Sequence, residues 1–172
     1  TARSQEGEYS ATCMVTVKCH VSNIKIDKPY LKLEEGNTQT LSYDIIPERA
    51  SDKLGIWSSM NSNIASVNSD GLVTAVSAGK TYIIVSSRDG NKADTCQIEV
   101  IRPVIGISIL KEGREVGSFI GMKKGEEMTL VAKLKPEGAS NQGIKWTSSD
   151  EKIAVISQNG ILAAVSPGQC AI

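Results

Sequence analysis

Few residues of this chain have the types and spacing that catalysis requires. His20 is the only histidine in the 172-residue sequence, and no Ser, Cys or Asp stands where it would indicate a catalytic triad. One imidazole also falls short of the several ligands that a zinc site needs. We therefore expect His20 to be exposed or to lie at a domain junction. The sequence predicts no catalytic, cofactor-binding or metal-binding residue, and no enzyme.

The four cysteines are the next candidates for chemistry. Cys13, Cys19, Cys96 and Cys170 form no CxxC pair and show no metal-ligand spacing. A free thiol that packs as a small hydrophobic residue is the simpler interpretation. A cross-strand disulfide between Cys13 and Cys170 is the alternative that the sequence leaves open.

Two polar loops contain oxygen atoms that could bind a ligand. Asp89-Gly90-Asn91 with Asp94 could surround a cation, but a hairpin turn explains the same residues and is preferred. The Ser and Asn residues within 58–63 could bind sugar, and they equally suit a loop held by side-chain to backbone hydrogen bonds. The glycine segments lack the Lys-Ser/Thr ending of a phosphate-binding loop.

Charge and hydropathy exclude two classes of partner. The chain carries 19 basic and 19 acidic residues, a formal net charge of zero, and no basic patch that would indicate nucleic-acid binding. No apolar run approaches the roughly 18 residues that a membrane helix needs. We expect neither nucleic-acid binding nor membrane insertion of this chain.

An internal repeat organises the sequence. The segment GLVTAVSAG at residues 71–79 returns as GILAAVSPG at residues 160–168, and each copy follows a lone tryptophan, Trp57 or Trp146, at the same spacing. A long fixed spacing of this kind indicates a tandem repeat. The second copy carries a polar, Gly-rich insertion at residues 111–118, which suits a longer loop or a hairpin tip.

The N-terminal residues continue the same pattern out of phase. Thr12-Cys13 and Val17 match Thr95-Cys96 and Val100. We therefore expect residues 1–20 to be the C-terminal strand of a preceding module. Residues 21–103 are then a complete module, here named the first repeat. Residues 104–172, the second repeat, form a module that lacks its final strand.

Short segments rich in β-branched residues predict the fold class. Turn dipeptides such as Asp70-Gly71 and Asn159-Gly160 separate them. About seven short strands in each repeat predict an all-β protein of tandem immunoglobulin-like β-sandwiches. The predicted strands include residues 24–26, 39–45, 81–85 and 95–100.

Trp57 and Trp146 each stand alone in their repeat. A tryptophan can fill the space between two sheets about 10 Å apart. It can also form a sugar-stacking platform on the surface. The fixed place in the repeat favours the core for both residues.

The repeated motifs together resemble the bacterial immunoglobulin-like group 2 family (Big2), as in intimin- and invasin-type adhesins. The resemblance covers nearly the whole chain. It rests on V-x-x-I-x-I at residues 21–26 and 104–109, G-x-x-x-x-L at 36–41 and 125–130, W-[ST]-S at 57–59 and 146–148, I-A-x-[VI] at 64–67 and 153–156, and the repeated glycine segment.

The resemblance implies an exported bacterial protein that is extracellular or bound to the cell surface. Such modules form structural or adhesive stalks, which is the function we expect; a glycan-binding accessory module of an extracellular enzyme or receptor is the alternative. Exposed aromatic residues such as Tyr30 or Tyr43 would then bind the glycan. The family has no shared catalytic residues. Candidate partners are neighbouring Ig-like modules and a host surface protein or glycan.

The junction and the tail give two further expectations. Residues 99–104 pass between the repeats with no Gly/Ser linker, and Pro103 has a fixed φ, which predicts a stiff joint. His20 replaces Pro103 at the preceding joint, which we expect to bend more. Residues 1–17 are a candidate donor strand for head-to-tail self-association, because the second repeat lacks such a strand.

Overall fold

In a computed structural model that describes residues 1–3, 5–7, 9–89 and 92–172, the regular elements are all β-strands. Residues 1–20 hold β1 (Ala2–Arg3) and β2 (Ser10–Ala11). The first repeat holds β3 (Asn23–Ile26), β4 (Tyr30–Glu34), β5 (Thr38–Thr40), β6 (Tyr43–Ile46), β7 (Gly55–Ser59), β8 (Ala65–Val67), β9 (Leu72–Ala75), β10 (Gly79–Ser87) and β11 (Ala93–Ile101). The second repeat holds β12 (Gly106–Lys111), β13 (Arg114–Glu115), β14 (Glu127–Thr129), β15 (Val131–Lys135), β16 (Ala154–Ile156) and β17 (Ile161–Ala164).

The prediction of an all-β, immunoglobulin-like fold is confirmed. The described part of the chain contains no helix, and therefore none that is long and apolar enough to cross a membrane.

The first repeat is built from one large sheet and two smaller ones. The large sheet has the order β4-β11-β10-β7, in which β11 is antiparallel to β10 and parallel to β4. The smaller sheets are β3-β6 and β5-β9-β8. Alternate residues of these strands point inward, and they form one buried cluster of Ile24, Ile26, Leu41, Ala65, Val73, Ala75, Ile83, Val85, Cys96, Ile98 and Val100.

One strand prediction was wrong. Residues 39–45 form two strands, β5 and β6, that belong to different sheets. The chain leaves the first sheet at Leu41, whose side chain is buried and whose N–H donates to the Gly71 carbonyl at 2.9 Å. Ser42 then exchanges two hydrogen bonds with Asp27, next to β3. The alternation of apolar and polar residues continues through this segment. The chain nevertheless crosses from the sheet of β5 to the sheet of β6 at Leu41, whose side chain is buried. The predicted strands at 24–26, 81–85 and 95–100 lie within β3, β10 and β11.

The second repeat reproduces only part of this arrangement. Its sheets are β13-β12-β15 and β14-β17-β16, around a smaller buried cluster of Leu130, Trp146, Ala154 and Leu162. The insertion at residues 111–118 forms the hairpin β12-β13, with positive φ at Glu112 and Gly113 as a two-residue turn requires. Residues 119–123 and 144–148, the counterparts of β4 and β7, are not strands.

The N-terminal residues do not form a long strand in the single chain. β1 pairs with β2 in a short hairpin, and residues 12–18 have no regular structure. Val15 and Val17 are 81% and 87% exposed. Cys13 is also exposed, whereas its counterpart Cys96 is fully buried. Cys13 therefore does not occupy a core position like that of Cys96.

Candidate functional site

The joint between the two repeats is centred on one arginine. Arg102 follows β11 directly, and its guanidinium makes two parallel hydrogen bonds to the carboxylate of Glu35, just after β4. Nε donates to Oε2 at 2.6 Å and Nη2 donates to Oε1 at 2.9 Å. This two-point geometry fixes the orientation of the guanidinium as well as its position.

The same arginine also contacts the second repeat. Its backbone N–H donates to Ser140 Oγ at 2.7 Å, and the N–H of Ser140 donates back to the Arg102 carbonyl at 2.8 Å. Its Nη1 donates to the carbonyl of Glu137 at 3.2 Å. Arg102 therefore binds groups on both sides of the joint, which restrains how one repeat turns against the other.

The electrostatics of the joint follow from this contact. The hydrogen bonds from Arg102 lower the pKa of Glu35 below its ordinary value, and desolvation partly opposes this lowering. The positive charge of Arg102 and a backbone hydrogen bond from Ala78 lower the pKa further. The carboxylate therefore stays ionised and paired at neutral pH.

The preceding joint shares only part of this arrangement. The N–H of Cys19 donates to Ser51 Oγ at 2.9 Å, and the N–H of Ser51 donates to the Cys19 carbonyl at 2.8 Å. Cys19 and Ser51 are the repeat counterparts of Arg102 and Ser140, so the same backbone clamp occurs twice. The guanidinium contact with Glu35 belongs to the joint at Arg102, here called the second joint, because Cys19 at the first joint has no guanidinium.

His20 is exposed, which is one of the two positions expected for it. His20 lies next to this first clamp, its side chain is exposed, and its Nδ1 lies 2.6 Å from Asp89 Oδ1. The imidazole therefore contacts a carboxylate of the first repeat rather than a nucleophile.

A row of polar and aromatic side chains crosses the outer face of the large sheet. Gln97 in β11 is paired with Tyr30 on one side and with Tyr82 on the other. Both tyrosines are close to half exposed. Tyr30 donates its hydroxyl to Glu99 at 2.6 Å, which raises the pKa of the phenol. The row places two aromatic residues and an amide side by side on one face of the sheet.

Tyr43 is not available as a surface platform. Its ring packs edge-on against Trp57 with 5.6 Å between centroids. Its hydroxyl accepts a hydrogen bond from Gly55 N–H at 2.7 Å and donates to the Lys53 carbonyl at 3.3 Å. The suggestion that Tyr43 is an exposed glycan contact was therefore wrong, because its hydroxyl and ring are both used by the fold.

Both tryptophans belong to the cores of their repeats. Trp57 packs against the buried cluster of the first repeat, and Trp146, 9% exposed, is part of the cluster of the second. The core interpretation is confirmed for both residues.

The polar loops are explained by structural hydrogen bonds. Within residues 58–63, Ser59 donates to the Ala65 carbonyl at 2.6 Å and Asn61 accepts from the Asn63 N–H at 3.1 Å. Asp94 accepts the Ile26 N–H at 2.9 Å. Gly90 and Asn91 of the candidate cation loop lie outside the described residues. Among the described residues, no group of three or more metal-ligating side chains occurs.

The four cysteines are free thiols in this chain. Burial raises the pKa of Cys96 to about 11, so this thiol is protonated and unreactive at neutral pH. Cys13 is exposed, and Cys19 and Cys170 are half-buried. The open disulfide alternative between Cys13 and Cys170 is not formed within one chain.

A groove with both polar and apolar lining residues opens on the second repeat. It has a volume of about 790 Å³ and is lined by residues that include Ile109, Leu130, Leu162, Cys170 and Ile172. Residues 168–172, the counterparts of the start of β10, form part of its wall.

A family comparison identifies most of both repeats. The sequence model of the bacterial Ig-like domain (group 2) matches residues 20–98 and residues 121–172, well over half of the chain. The chain belongs to this family. The resemblance inferred from the repeated motifs is confirmed.

This Big2 chain matches less than two thirds of the length of each of three curated relatives. A protein of Clostridium acetobutylicum is 27% identical over 150 residues, which is 87% of this chain and 15% of that protein. A 3-O-alpha-D-galactosyl-alpha-L-arabinofuranosidase of Bifidobacterium longum subsp. longum is 31% identical over 119 residues, 69% of this chain and 9% of the enzyme. A Bacillus cereus protein is 37% identical over 83 residues, 46% of this chain and 63% of that protein. The match to the enzyme thus concerns a small part of it.

Solved structures similar to this Big2 chain include an S-layer protein and an intimin mutant. Domains 1–6 of the S-layer protein SbsC align with 86% of this chain and 22% of theirs, at 17% identity and a TM-score of 0.43. An intimin mutant of EHEC O157:H7 aligns with 51% of this chain and 53% of its own, at 20% identity and a TM-score of 0.38. Both scores are low, so the family assignment rests on the sequence match.

Sequence reasoning missed the roles of four residues of these surfaces: Glu35, Arg102, Ser140 and Tyr82. Glu35 and Arg102 stand 67 positions apart, and their repeat counterparts, Lys124 and Cys19, cannot form the same pair. Only the joint itself reveals this contact. Ser140 could have been found, because Ser51 occupies its counterpart position in the first repeat. Tyr82 could have been found from its outward position in the alternating pattern of β10.

Proposed function

We propose that this chain is a non-catalytic stalk segment of an exported bacterial surface protein, in which consecutive Ig-like modules hold a distal part away from its anchor. Residues 21–103 and residues 104–172 are the two modules of this proposal. The observation that carries it is the contact of Arg102 with Glu35 on one side of the joint and with Ser140 and Glu137 on the other. A spacer must resist bending at its joints, and this contact supplies such a restraint.

The contact of Arg102 with Glu35 restrains the orientation of the joint more than it raises the free energy of unfolding. The side chains of Arg102 and Glu35 are each about one third exposed, and partly exposed ion pairs contribute little to folding free energy. A two-point contact nevertheless restricts rotation, since bending would break both hydrogen bonds together. Pro103, directly after Arg102, further limits the backbone at the joint.

The joint can be tested by measuring shape. Small-angle X-ray scattering on the chain and on Arg102→Gln should show a broader distribution of maximum dimensions for the variant. Arg88→Gln is the matched control, because Arg88 pairs with Asp52 at 2.7 Å inside the first repeat. An unchanged profile for Arg102→Gln, or an equal change in both variants, would contradict a stiffening role for the joint.

A glycan-binding accessory module is the second candidate function. Relatives named as polysaccharide- or glycoside-cleaving enzymes support it, such as the arabinofuranosidase and a kappa-carrageenase of Pseudoalteromonas carrageenovora that is 34% identical over 80 residues. The row of Tyr30, Gln97 and Tyr82 is a surface of suitable chemistry, because sugar rings stack on exposed aromatic faces and bind amides.

A glycan array distinguishes the two candidates. Accessory binding predicts a glycan signal that Tyr82→Ala abolishes. Tyr9→Ala serves as the control, because Tyr9 is exposed but lies in the N-terminal residues rather than on this sheet. Absence of any signal, together with a joint-dependent scattering profile, would favour the stalk.

A further inference from the structure

Strand β7 forms one edge of the large sheet in the first repeat. It is the last strand of the order β4-β11-β10-β7, and it is paired with β10 alone. In an antiparallel ladder, alternate residues turn both of their backbone groups toward the partner strand. The N–H of Met60 donates to the Tyr82 carbonyl at 3.0 Å, so Met60 faces β10. Trp57 and Ser59, at the alternate positions, therefore direct their backbone groups away from β10.

The equivalent edge of the second repeat is closed by a side chain. The N–H of Trp146 donates to Gln158 Oε1 at 3.2 Å, and Gln158 Nε2 donates to the Trp146 carbonyl at 2.9 Å. The amide thus offers the donor and the acceptor that a residue of an adjacent antiparallel strand would offer.

The first repeat lacks this side chain. Ser69 is the counterpart of Gln158, and its single hydroxyl is too short to make both contacts. Among the residues that the structure describes, none is hydrogen-bonded to the N–H or to the carbonyl of Trp57. The edge is therefore unoccupied at Trp57, within the complete repeat, and closed at Trp146.

The side chains along the two edges differ in the same sense. Leu54, Ile56 and Met60 follow the β7 edge and are 53%, 56% and 68% exposed. Their counterparts in the second repeat are small or charged: Gly143, Lys145 and Ser149. A lysine on an edge strand is one of the means by which proteins prevent pairing between sheet edges. The β7 edge carries apolar side chains where the second repeat carries this protection.

The charge of the edge indicates its occupant. Residues 54–69 contain no charged side chain and no proline, whereas their counterparts contain four charged residues: Lys145, Asp150, Glu151 and Lys152. A charged partner strand would lose solvent here without finding a counter-charge, which is unfavourable. A second copy of the same edge brings no charge, so both edges can be covered without that cost.

We propose that β7 pairs antiparallel with β7 of a second copy of this chain, about a twofold axis between the two Ser58 residues. Trp57 then lies opposite Ser59 of the second copy, and each such pair makes two hydrogen bonds. On the outer face, Ile56 lies opposite Met60 of the second copy. Both exposed apolar residues are therefore covered twice, once on each side of the axis.

The register also respects the contacts already present at the edge. Gly55 stays outside the paired segment, and its N–H keeps the hydrogen bond to Tyr43 Oη at 2.7 Å. A twofold contact uses the same surface on both copies and closes on itself, so it ends at a dimer. The large sheets of the two copies become one continuous sheet. This inference goes beyond the stalk function and does not rest on it.

Sedimentation velocity over a concentration series tests the dimer. The series should reach about 1 mM, because an interface of two short strands is smaller than those of stable complexes. The wild-type chain should pass from monomer to dimer, and Ile56→Lys, which introduces the residue of the second repeat, should stay monomeric. Thr95→Lys is the matched control, since Thr95 is exposed in β11 and is separated from β7 by β10.

The sedimentation outcomes are separable. Because Ile56 is already exposed, the melting curve of Ile56→Lys by circular dichroism should match that of wild type. A wild-type chain that stays monomeric, or an equal loss of dimer in both lysine variants, overturns the proposal. The joint at Arg102 can be measured by scattering on monomeric Ile56→Lys protein, so the stalk proposal is judged separately.

A second variant tests the hydrogen-bonding edge without adding charge. Ser69→Gln supplies the amide that closes the equivalent edge at Trp146, and it should abolish the dimer. Asp70→Asn is the matched control, because it also exchanges a residue of this turn for its counterpart in the second repeat, Asn159. Dimerisation that Ser69→Gln leaves unchanged overturns pairing through the backbone of Trp57.

Cysteine cross-linking tests the register. Residues opposite each other without mutual hydrogen bonds have Cα atoms about 4.5 Å apart, within the range of a disulfide. With Cys13, Cys19 and Cys170 replaced by serine, Ser58→Cys should form a disulfide with Ser58→Cys of the second copy. Oxidised glutathione takes up the two electrons and two protons and becomes two molecules of reduced glutathione.

The same oxidation of Thr95→Cys is the control for the cross-link. A covalent dimer with Ser58→Cys alone supports the register. No covalent dimer with Ser58→Cys, or equal yields from both variants, overturns it.

Discussion

The two repeats contain the same tryptophan segment with two different structures. Gly55–Ser59 is strand β7 and pairs with β10, which in turn pairs with β11. Its counterpart, residues 144–148, keeps the W-[ST]-S motif but is not a strand. The difference lies in the pairing, because β7 is paired with β10, whereas no described strand is paired with residues 144–148. An isolated segment of this length gains too little from its own propensity to hold a strand geometry.

The three-stranded sheets show the opposite result. β5-β9-β8 and β14-β17-β16 have the same order, and Thr38 pairs with Thr74 as Glu127 pairs with Ala163. All three strands of each sheet lie within their own repeat, so both sheets form. The comparison teaches that partner availability, rather than motif strength, decides which segments of a repeat become strands.

The largest expected effect is the loss of a core tryptophan from the complete repeat. Trp57→Ala should lower the free energy of unfolding by about 3–5 kcal/mol, since it removes an aromatic side chain that packs on the buried cluster. Chemical denaturation followed by circular dichroism measures this cost. Thr95→Ala, at an exposed position, is the control and should change stability by less than about 0.5 kcal/mol. A cost as small as that of the control would contradict the core role.

Replacing the repeated turn glycine should have a smaller effect on stability, equal in the two repeats. Gly71 and Gly160 have φ of +79° and +80°, and a Cβ at either would meet the carbonyl oxygen of Leu41 or Leu130. Each change to alanine should lower the free energy of unfolding by at least about 1–2 kcal/mol, because an L-residue is strained in the left-handed conformation. Gly117→Ala is the control, because a Cβ there meets open space.

The equality of the two glycine variants is the informative part. Thermal melts in which Gly71→Ala lowers the stability and Gly160→Ala does not would contradict the expected equality of the two repeats. Such a result would mean that the three-stranded sheet of the second repeat is not formed in solution.

Amide hydrogen exchange measures the difference between the tryptophan segments directly. Amides of residues 55–59 should be protected, because β7 is paired with β10. Amides of Ile144, Lys145 and Thr147 should exchange rapidly, since these residues are exposed and no strand is paired with them. The Trp146 amide is left out of the comparison, because it donates to Gln158 Oε1 at 3.2 Å. Residues 72–75 and 161–164, in β9 and β17, are internal references and should both be protected. Equal protection of both tryptophan segments would contradict the role given to the missing partner.

The smallest effect is a pH dependence of the second joint. The folded pKa of Glu35 lies below its ordinary value of 4.5. Its contribution is therefore fully present above the unfolded pKa and is lost as the pH falls through the lowered folded pKa. Scattering should show the joint loosening only under acid conditions, and Glu35→Gln should be loose at neutral pH already. A variant as stiff as wild type at neutral pH would show that the ion pair is dispensable.

Much of this molecule could be predicted from local patterns. Alternation identified the strands at 24–26, 81–85 and 95–100, because their inward residues all face one core. The repeat placed both tryptophans in the cores. The continuous pattern at residues 39–45 misled, since alternation does not record that the chain changes sheets at Leu41. Tyr43 was misplaced for the same reason: its contact with Trp57 forms across strands.

The sequence by itself determined the family, the all-β class and the repeat, because these depend on side-chain type and spacing along one chain. Tertiary structure alone decided the Arg102–Glu35 contact, the Tyr30–Gln97–Tyr82 row and the unpaired residues 144–148. Each of these depends on segments distant in sequence that meet, or fail to meet, across a sheet or a joint. The free energy of strand pairing depends on the side chains of both strands, so it cannot be predicted from the residues of one strand alone.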